Sequence, residues 1–177
     1  MTAMPVQTTL DLTDVLSKFF VPLLVAALAA YFSTKFALNK FYKEKWWEKR
    51  LEAFTEIINI AYRIKMSNDY FLRCEYAQME PGESRFKPHP KDIEDKLRTE
   101  YWLDLQEFER IAQLADFTLT SKVKSLLDAY VNARKKMMDD WHEDAIESYE
   151  ASEKDLTLSG KLLSNLVAEA KRELKIN

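Results

Sequence analysis

Between Lys18 and Lys35 the chain runs for 16 residues without a charge, FFVPLLVAALAAYFST. Crossing a hydrocarbon core of about 30 Å takes roughly 20 apolar residues in a helix, so this run alone is slightly short. Lysines at both ends extend it, because their methylene stems lie along the helix while the ammonium reaches the headgroups. The usable span then covers about Val15 to Leu38. Aromatic residues stand at its edges: Phe19 and Phe20 on one side, and Tyr31, Phe32, Phe36, Phe41, Tyr42, Trp46 and Trp47 on the other. The stretch from Phe19 to Arg50 therefore reads as a membrane-spanning helix that emerges into the cytoplasm and continues into a soluble helical domain.

Three other readings compete. A buried core helix of a soluble protein could carry the same run. A cleaved signal peptide would use Ala27-Leu28-Ala29 as its small-residue site, but Asp11 and Asp14 precede the run and a basic segment follows it, the reverse of a signal peptide's charge order. An in-plane anchor needs a polar face, which Val21 to Ala30 lacks. Orientation follows from the lysines and arginines: Lys35, Lys40, Lys43, Lys45, Lys49 and Arg50 come after the start of the run and only Lys18 before it. That asymmetry puts the C-terminal bulk inside and the N-terminal tail outside the inner (cytoplasmic) membrane.

The 177-residue chain has only two glycines and five prolines, too few turn formers for a β-sheet domain of this size. The expected fold is all-α: residues 1–14 as an extracytoplasmic tail, 15–40 as the transmembrane helix, and 41–177 as an antiparallel cytosolic bundle of about four helices. Thr13 or Asp14 is the candidate N-cap of the span, and Pro22 falls in its first turns, where a missing backbone donor costs least. From Leu23 to Glu80 there is neither proline nor glycine, so the span and the first cytosolic helix read as one rod that ends at Glu80-Pro81-Gly82. Trp47, Leu51, Phe54, Ile58 and Ala61 recur on one face of it. Pro81 to Pro90 is a loop. A second helix is expected over Asp92 to Ala115, with the stripe Ile93, Leu97, Tyr101, Leu105, Phe108, Ala112 and Ala115. A third, capped by Thr118 or Thr120, carries Val123, Leu127, Tyr130, Arg134, Met138, Trp141 and Ala145 and fades near Ser152. The last is expected over Thr157 to Lys175, with Leu163, Leu166, Ala170 and Leu174 inward; the cost of Gly160 offers an alternative start just beyond that glycine.

The most specific segment is KFYKEKWWEKR, Lys40 to Arg50. Cations beside amphipathic rings suit the inner headgroup layer, so Lys35, Lys40, Lys43, Lys45, Trp46, Trp47, Lys49 and Arg50 form the expected membrane interface and anionic lipid its partner. The competing reading is that they set topology and pack the upper end of the bundle, with Trp47 in its core. Ala26, Ala30 and Thr34 fall at steps of four, a small-residue face on which two spans could approach closely as a homo-oligomer.

Catalysis is not expected. His142 lies among Asp139, Asp140, Glu143 and Asp144, but the Glu-x-x-His pairs of di-iron bundles and the paired histidines of zinc sites are missing, and a solvated acidic face explains the cluster. His89 reads as exposed in its loop. Cys74 is the single cysteine and reads as a small buried side chain. No phosphate-cradling glycine loop, nucleophile elbow or Cys-x-x-Cys pair occurs, so no metal, cofactor or catalytic residue is assigned. A net charge of −3 gives no general attraction to nucleic acid.

The segments EKWWEKRLEAF, LADFTLTSKVKSLLDAY and AKRELKI together resemble a broad group of uncharacterised bacterial single-span membrane proteins with helical cytosolic domains. That resemblance implies placement in a bacterial inner membrane and supplies no catalytic residue; by analogy, proteins of this shape serve as membrane effectors or scaffolds in defence systems. The expected function is therefore a non-enzymatic, bitopic inner-membrane protein whose cytosolic bundle mediates protein interaction, scaffolding or signalling. The alternative is an oligomeric membrane-perturbing effector whose spans cluster to permeabilise the bilayer. Metal-dependent hydrolysis at Asp139 to Asp144 is a third reading.

Overall fold

The computed structural model describes residues 12–79 and 85–175. Those residues form four helices and no strand: α1 (Leu12–Met79), α2 (Lys91–Thr118), α3 (Ser121–His142) and α4 (Ser148–Leu174). The chain falls into two compact units, Met1–Trp46 and Trp47–Asn177. Most of the expected outer tail and the helix stop at Glu80-Pro81-Gly82 lie outside the described residues.

In the first unit, α1 already includes Thr13 and Asp14, so neither caps it, and it passes through Pro22 about three turns in. From Phe19 to Tyr42 its large apolar side chains are exposed all round: Phe19 is 73% exposed, Leu23 69% and Phe36 71%. This is the one helix among the described residues long and apolar enough to cross a membrane.

The second unit has its own core. The part of α1 from Phe54 to Ile64 is amphipathic, burying Phe54, Ile57, Ile60, Ala61 and Ile64. These join Leu105, Phe108, Ala112 and Ala115 of α2, Val123, Leu127 and Tyr130 of α3, and Leu162, Leu166, Ala170 and Leu174 of α4 in one cluster. Recurrence at three and four residues on each helix is what lets four stripes share one interior. Four residues expected on these stripes face outward: Trp47 is 48% exposed, Ile93 47% and Trp141 39%, and Ala145 is exposed beyond the end of α3.

The connections follow local hydrogen-bond chemistry. Leu119, buried and extended, separates α2 from α3, and the Thr120 hydroxyl accepts from the Val123 N–H at 3.3 Å as the α3 N-cap. The end of α3 corrects the sequence reading. The helix stops at His142 and does not fade near Ser152, and α4 begins at Ser148, well before Thr157. Asp144 takes a positive φ of 54°, its N–H donates to the Trp141 carbonyl, and the Ala145 N–H donates to the Asp140 carbonyl. That is the pattern of a Schellman ending with aspartate where glycine is usual. Gly160 sits inside α4 with open space around it, so the helix tolerates it.

Candidate functional site

The residues expected at the membrane interface are on α1 and outward-facing, Arg50 being only partly covered. In the first unit, Lys35 lies 5.9 Å from the centre of the Tyr31 ring and Lys45 6.0 Å from that of Phe41, each a cation set against an aromatic one turn earlier. Lys40 pairs with Glu44 at 3.8 Å, Lys43 is exposed, and Trp46 is 59% exposed. In the second unit Lys49 pairs with Glu52 at 3.0 Å and Arg50 with Glu173 of α4 at 3.6 Å. These are surface pairs, individually worth little. Ala26, Ala30 and Thr34 are also exposed, and the Thr34 hydroxyl donates to the Ala30 carbonyl at 2.9 Å, so its hydrogen bond is made within the helix.

A second constellation, which sequence reasoning missed, lies inside the helical unit. Asp155 of α4 accepts on Oδ2 from the Tyr101 hydroxyl at 2.9 Å and from Arg134 Nε at 3.4 Å. Arg134 Nη2 donates to the Tyr101 hydroxyl at 3.2 Å, and its guanidinium lies against the Tyr101 and Trp102 rings. Asn68 of α1 donates to the Asp155 carbonyl at 3.3 Å and to the Ser159 hydroxyl at 3.2 Å. All four helices thus meet at one polar node beside a 210 Å³ cavity, whose walls include Phe71, Cys74, Met137 and Trp141. Two buried atoms next to the node, Asp155 Oδ1 and the Tyr130 hydroxyl, have no partner among the described residues.

Burial pushes the Tyr101 and Tyr130 hydroxyls well above the usual phenol range, and the Asp155 carboxylate pushes them further. Burial works against the Arg134 charge, but Tyr101, Asp155 and Tyr130 more than offset it. The node therefore keeps neutral phenols around one ion pair, an arrangement that locks packing and has no activated nucleophile. The signal was Arg134 in an otherwise apolar stripe. Asp155 gave no such signal, because it lies outside the apolar stripes read from the sequence.

The other singled-out residues are placed as follows. Cys74 is buried against α1's neighbours, and burial pushes its thiol up, away from a reactive thiolate. The His89 ring stacks on Tyr70 at 4.9 Å and its backbone N–H donates to the Tyr70 hydroxyl, pinning the end of the loop to α1. His142 is exposed, with Nδ1 2.7 Å from the Met138 carbonyl, and no three metal-ligating side chains are grouped among the described residues. An 820 Å³ groove runs between α1 and α2, bordered by Tyr62, Met66, Tyr70, Phe86 and Leu103. The Arg63–Asp104 pair lies in its wall, with contacts of 2.6 to 3.1 Å.

No protein-family model matches this chain, and no curated protein or solved structure is significantly similar to it.

Proposed function

We propose that this is a non-enzymatic, bitopic protein of the bacterial inner membrane, its N-terminus outside and its helical unit in the cytoplasm, where that unit docks a protein partner or self-assembles. The observation that carries this reading is the first part of α1: apolar side chains exposed on every side, next in sequence to a unit that buries its own apolar residues. A helix apolar all round is at home in hydrocarbon and costly in water. The bias of Lys and Arg to the C-terminal side supports the orientation.

An antiparallel arrangement of the bundle is supported by how contacts pair along the helices. Arg63 meets Asp104 while Phe71 meets Tyr101, and Arg50 meets Glu173 while Asn68 meets Asp155. In each case the number rises on one helix as it falls on the other. A protein-binding role is supported by the groove between α1 and α2, where Tyr62 and Leu103 are more than half exposed.

The test is fractionation of bacteria expressing the full chain with a C-terminal tag. Carbonate-washed membranes should retain the intact polypeptide, with the tag shielded from protease in spheroplasts and cleaved in inverted vesicles. Full-length protein in the supernatant would make the apolar run a soluble core helix, and a shortened product would make it a signal peptide. Crosslinking in native membranes followed by mass spectrometry then separates self-association from a foreign partner.

A further inference from the structure

One end of the helical unit combines an exposed ring with lysines that have no carboxylate of their own. The Arg50–Glu173 pair brings the start of the unit beside the end of α4. The Arg63–Asp104 pair and the Phe71–Tyr101 contact together set α2 running back toward the same end, so the turn from α2 to α3 arrives there too. At that turn Phe117 is 76% exposed, the most exposed large apolar side chain among the described residues. Several nearby carboxylates are engaged: Glu52 by Lys49, Asp128 by Lys124, Glu169 by Arg172, and Glu173 by Arg50 and Arg172, whereas Asp116, next to Phe117, is exposed and forms no ion pair among the described residues. Lys122, Lys171 and Lys175 are exposed and form no ion pair among the described residues.

Lys171 stands where a cation complements the end of α4. Lys122 does not: it lies in the first turn of α3, a turn with no acidic residue, where the helix dipole disfavours a cation. An external anion at that end would relieve the conflict. The opposite end of the unit has the other sign, with Asp139, Asp140, Glu143, Asp144 and Glu147 at the α3–α4 turn.

We propose that the end of the helical unit bearing Phe117, Lys122, Lys171 and Lys175 docks on the surface of an anionic bilayer, the ring entering the headgroup layer and the lysines meeting lipid phosphates. This rests on the reading that the chain spans the membrane. Only eight residues separate Leu38, the last of the usable span, from Trp47, so that end of the unit is tethered within at most about 30 Å of the bilayer. An aromatic ring among cations is the composition suited to that layer, and a polybasic surface is drawn to acidic lipid. The contact differs from the collar at Lys40 to Arg50, because it comes from α2, α3 and α4.

The full chain carrying Cys74→Ala and Phe117→Cys, labelled with a polarity-sensitive bimane, is reconstituted into nanodiscs of phosphatidylcholine with or without phosphatidylglycerol. The expected result is a blue-shifted emission and protection from iodide in the phosphatidylglycerol discs only, reversed by high salt. A label at Glu150→Cys, near the acidic end, stays accessible in both. Lys122→Gln, Lys171→Gln and Lys175→Gln each lower the docked-to-undocked ratio about fivefold. Equal accessibility of the Phe117→Cys label in both lipids overturns the proposal, as does equal protection in both lipids and in detergent, which would mean that protein covers the ring. A chain that fails to enter discs at all would instead overturn the spanning reading beneath it.

Discussion

The two units of this chain use the same apolar residue types to opposite ends. In residues 18–46 the apolar side chains have no preferred face, and Phe19, Leu23 and Phe36 all project outward. From Trp47 onward they recur at helical spacing, and Phe54, Ile57 and Ile64 are almost completely covered by the other helices. Apolar residues without period call for an apolar solvent, whereas the same residues with period call for a protein neighbour. Both patterns occur within α1, so helix formation itself does not distinguish them; the arrangement of side chains around the axis does.

The sharpest way to break that comparison is to charge each part in turn. Leu24→Arg with Leu28→Arg should cost about 5–7 kcal/mol of membrane insertion, since each arginine near the centre of a span costs about 2.5–3.5 kcal/mol. The protein should move to the soluble or aggregated fraction. If it pellets with membranes unchanged, the two parts do not differ in solvent. The converse is Phe108→Ala in the helical unit, expected to lower unfolding stability in detergent by about 3–5 kcal/mol while leaving membrane retention untouched. Loss of retention in that variant would show that the two units are not separable in this way.

Alkaline titration sharpens the contrast further. The Tyr101 and Tyr130 phenols are raised in the folded unit, so above the ordinary phenol range of about 10 the unfolded chain releases protons that the folded chain keeps. Stability is therefore fully present below about pH 10 and falls as pH rises beyond it. Denaturant midpoints measured across that range should fall for the wild type and fall less for Tyr101→Phe, relative to each protein's own neutral value. The smallest expected effect is at the α3 start: Thr120→Ala should cost about 1 kcal/mol through loss of the bond to Val123 N–H, read by the same denaturation.

Much of the helical architecture was legible because periodicity is local. The stripe Tyr101, Leu105, Phe108, Ala112 and Ala115 needed no knowledge of neighbours, and the α3 cap was narrowed to Thr118 or Thr120, of which Thr120 is the one that caps. The end of α3 was not legible, because its left-handed residue is Asp144 and not a glycine, and an aspartate in an acidic run gives no turn signal. The start of α4 was displaced for a related reason: Asp155 and Ser159 are inward-facing polar residues, and polar residues at core positions look like solvent-facing ones until their partners are known. Trp47 erred the other way, counted inward from its spacing but left exposed, because the neighbouring helices cover α1 only from Arg50 onward.

By itself the sequence determined that this chain is helical, that one segment is long and apolar enough to cross a membrane, and which faces of the remaining helices bear apolar stripes. Those properties come from residue type and spacing within a few turns. Only the tertiary structure decided that Asn68, Tyr101, Arg134 and Asp155 converge on one buried node, and that Arg50 pairs with Glu173 so that Lys171 and Lys175 share an end with the start of the helical unit. Those residues are tens of positions apart, and no local rule couples them. Their contacts exist because burying four stripes at once fixes the register of the helices, and the register then chooses which polar side chains meet.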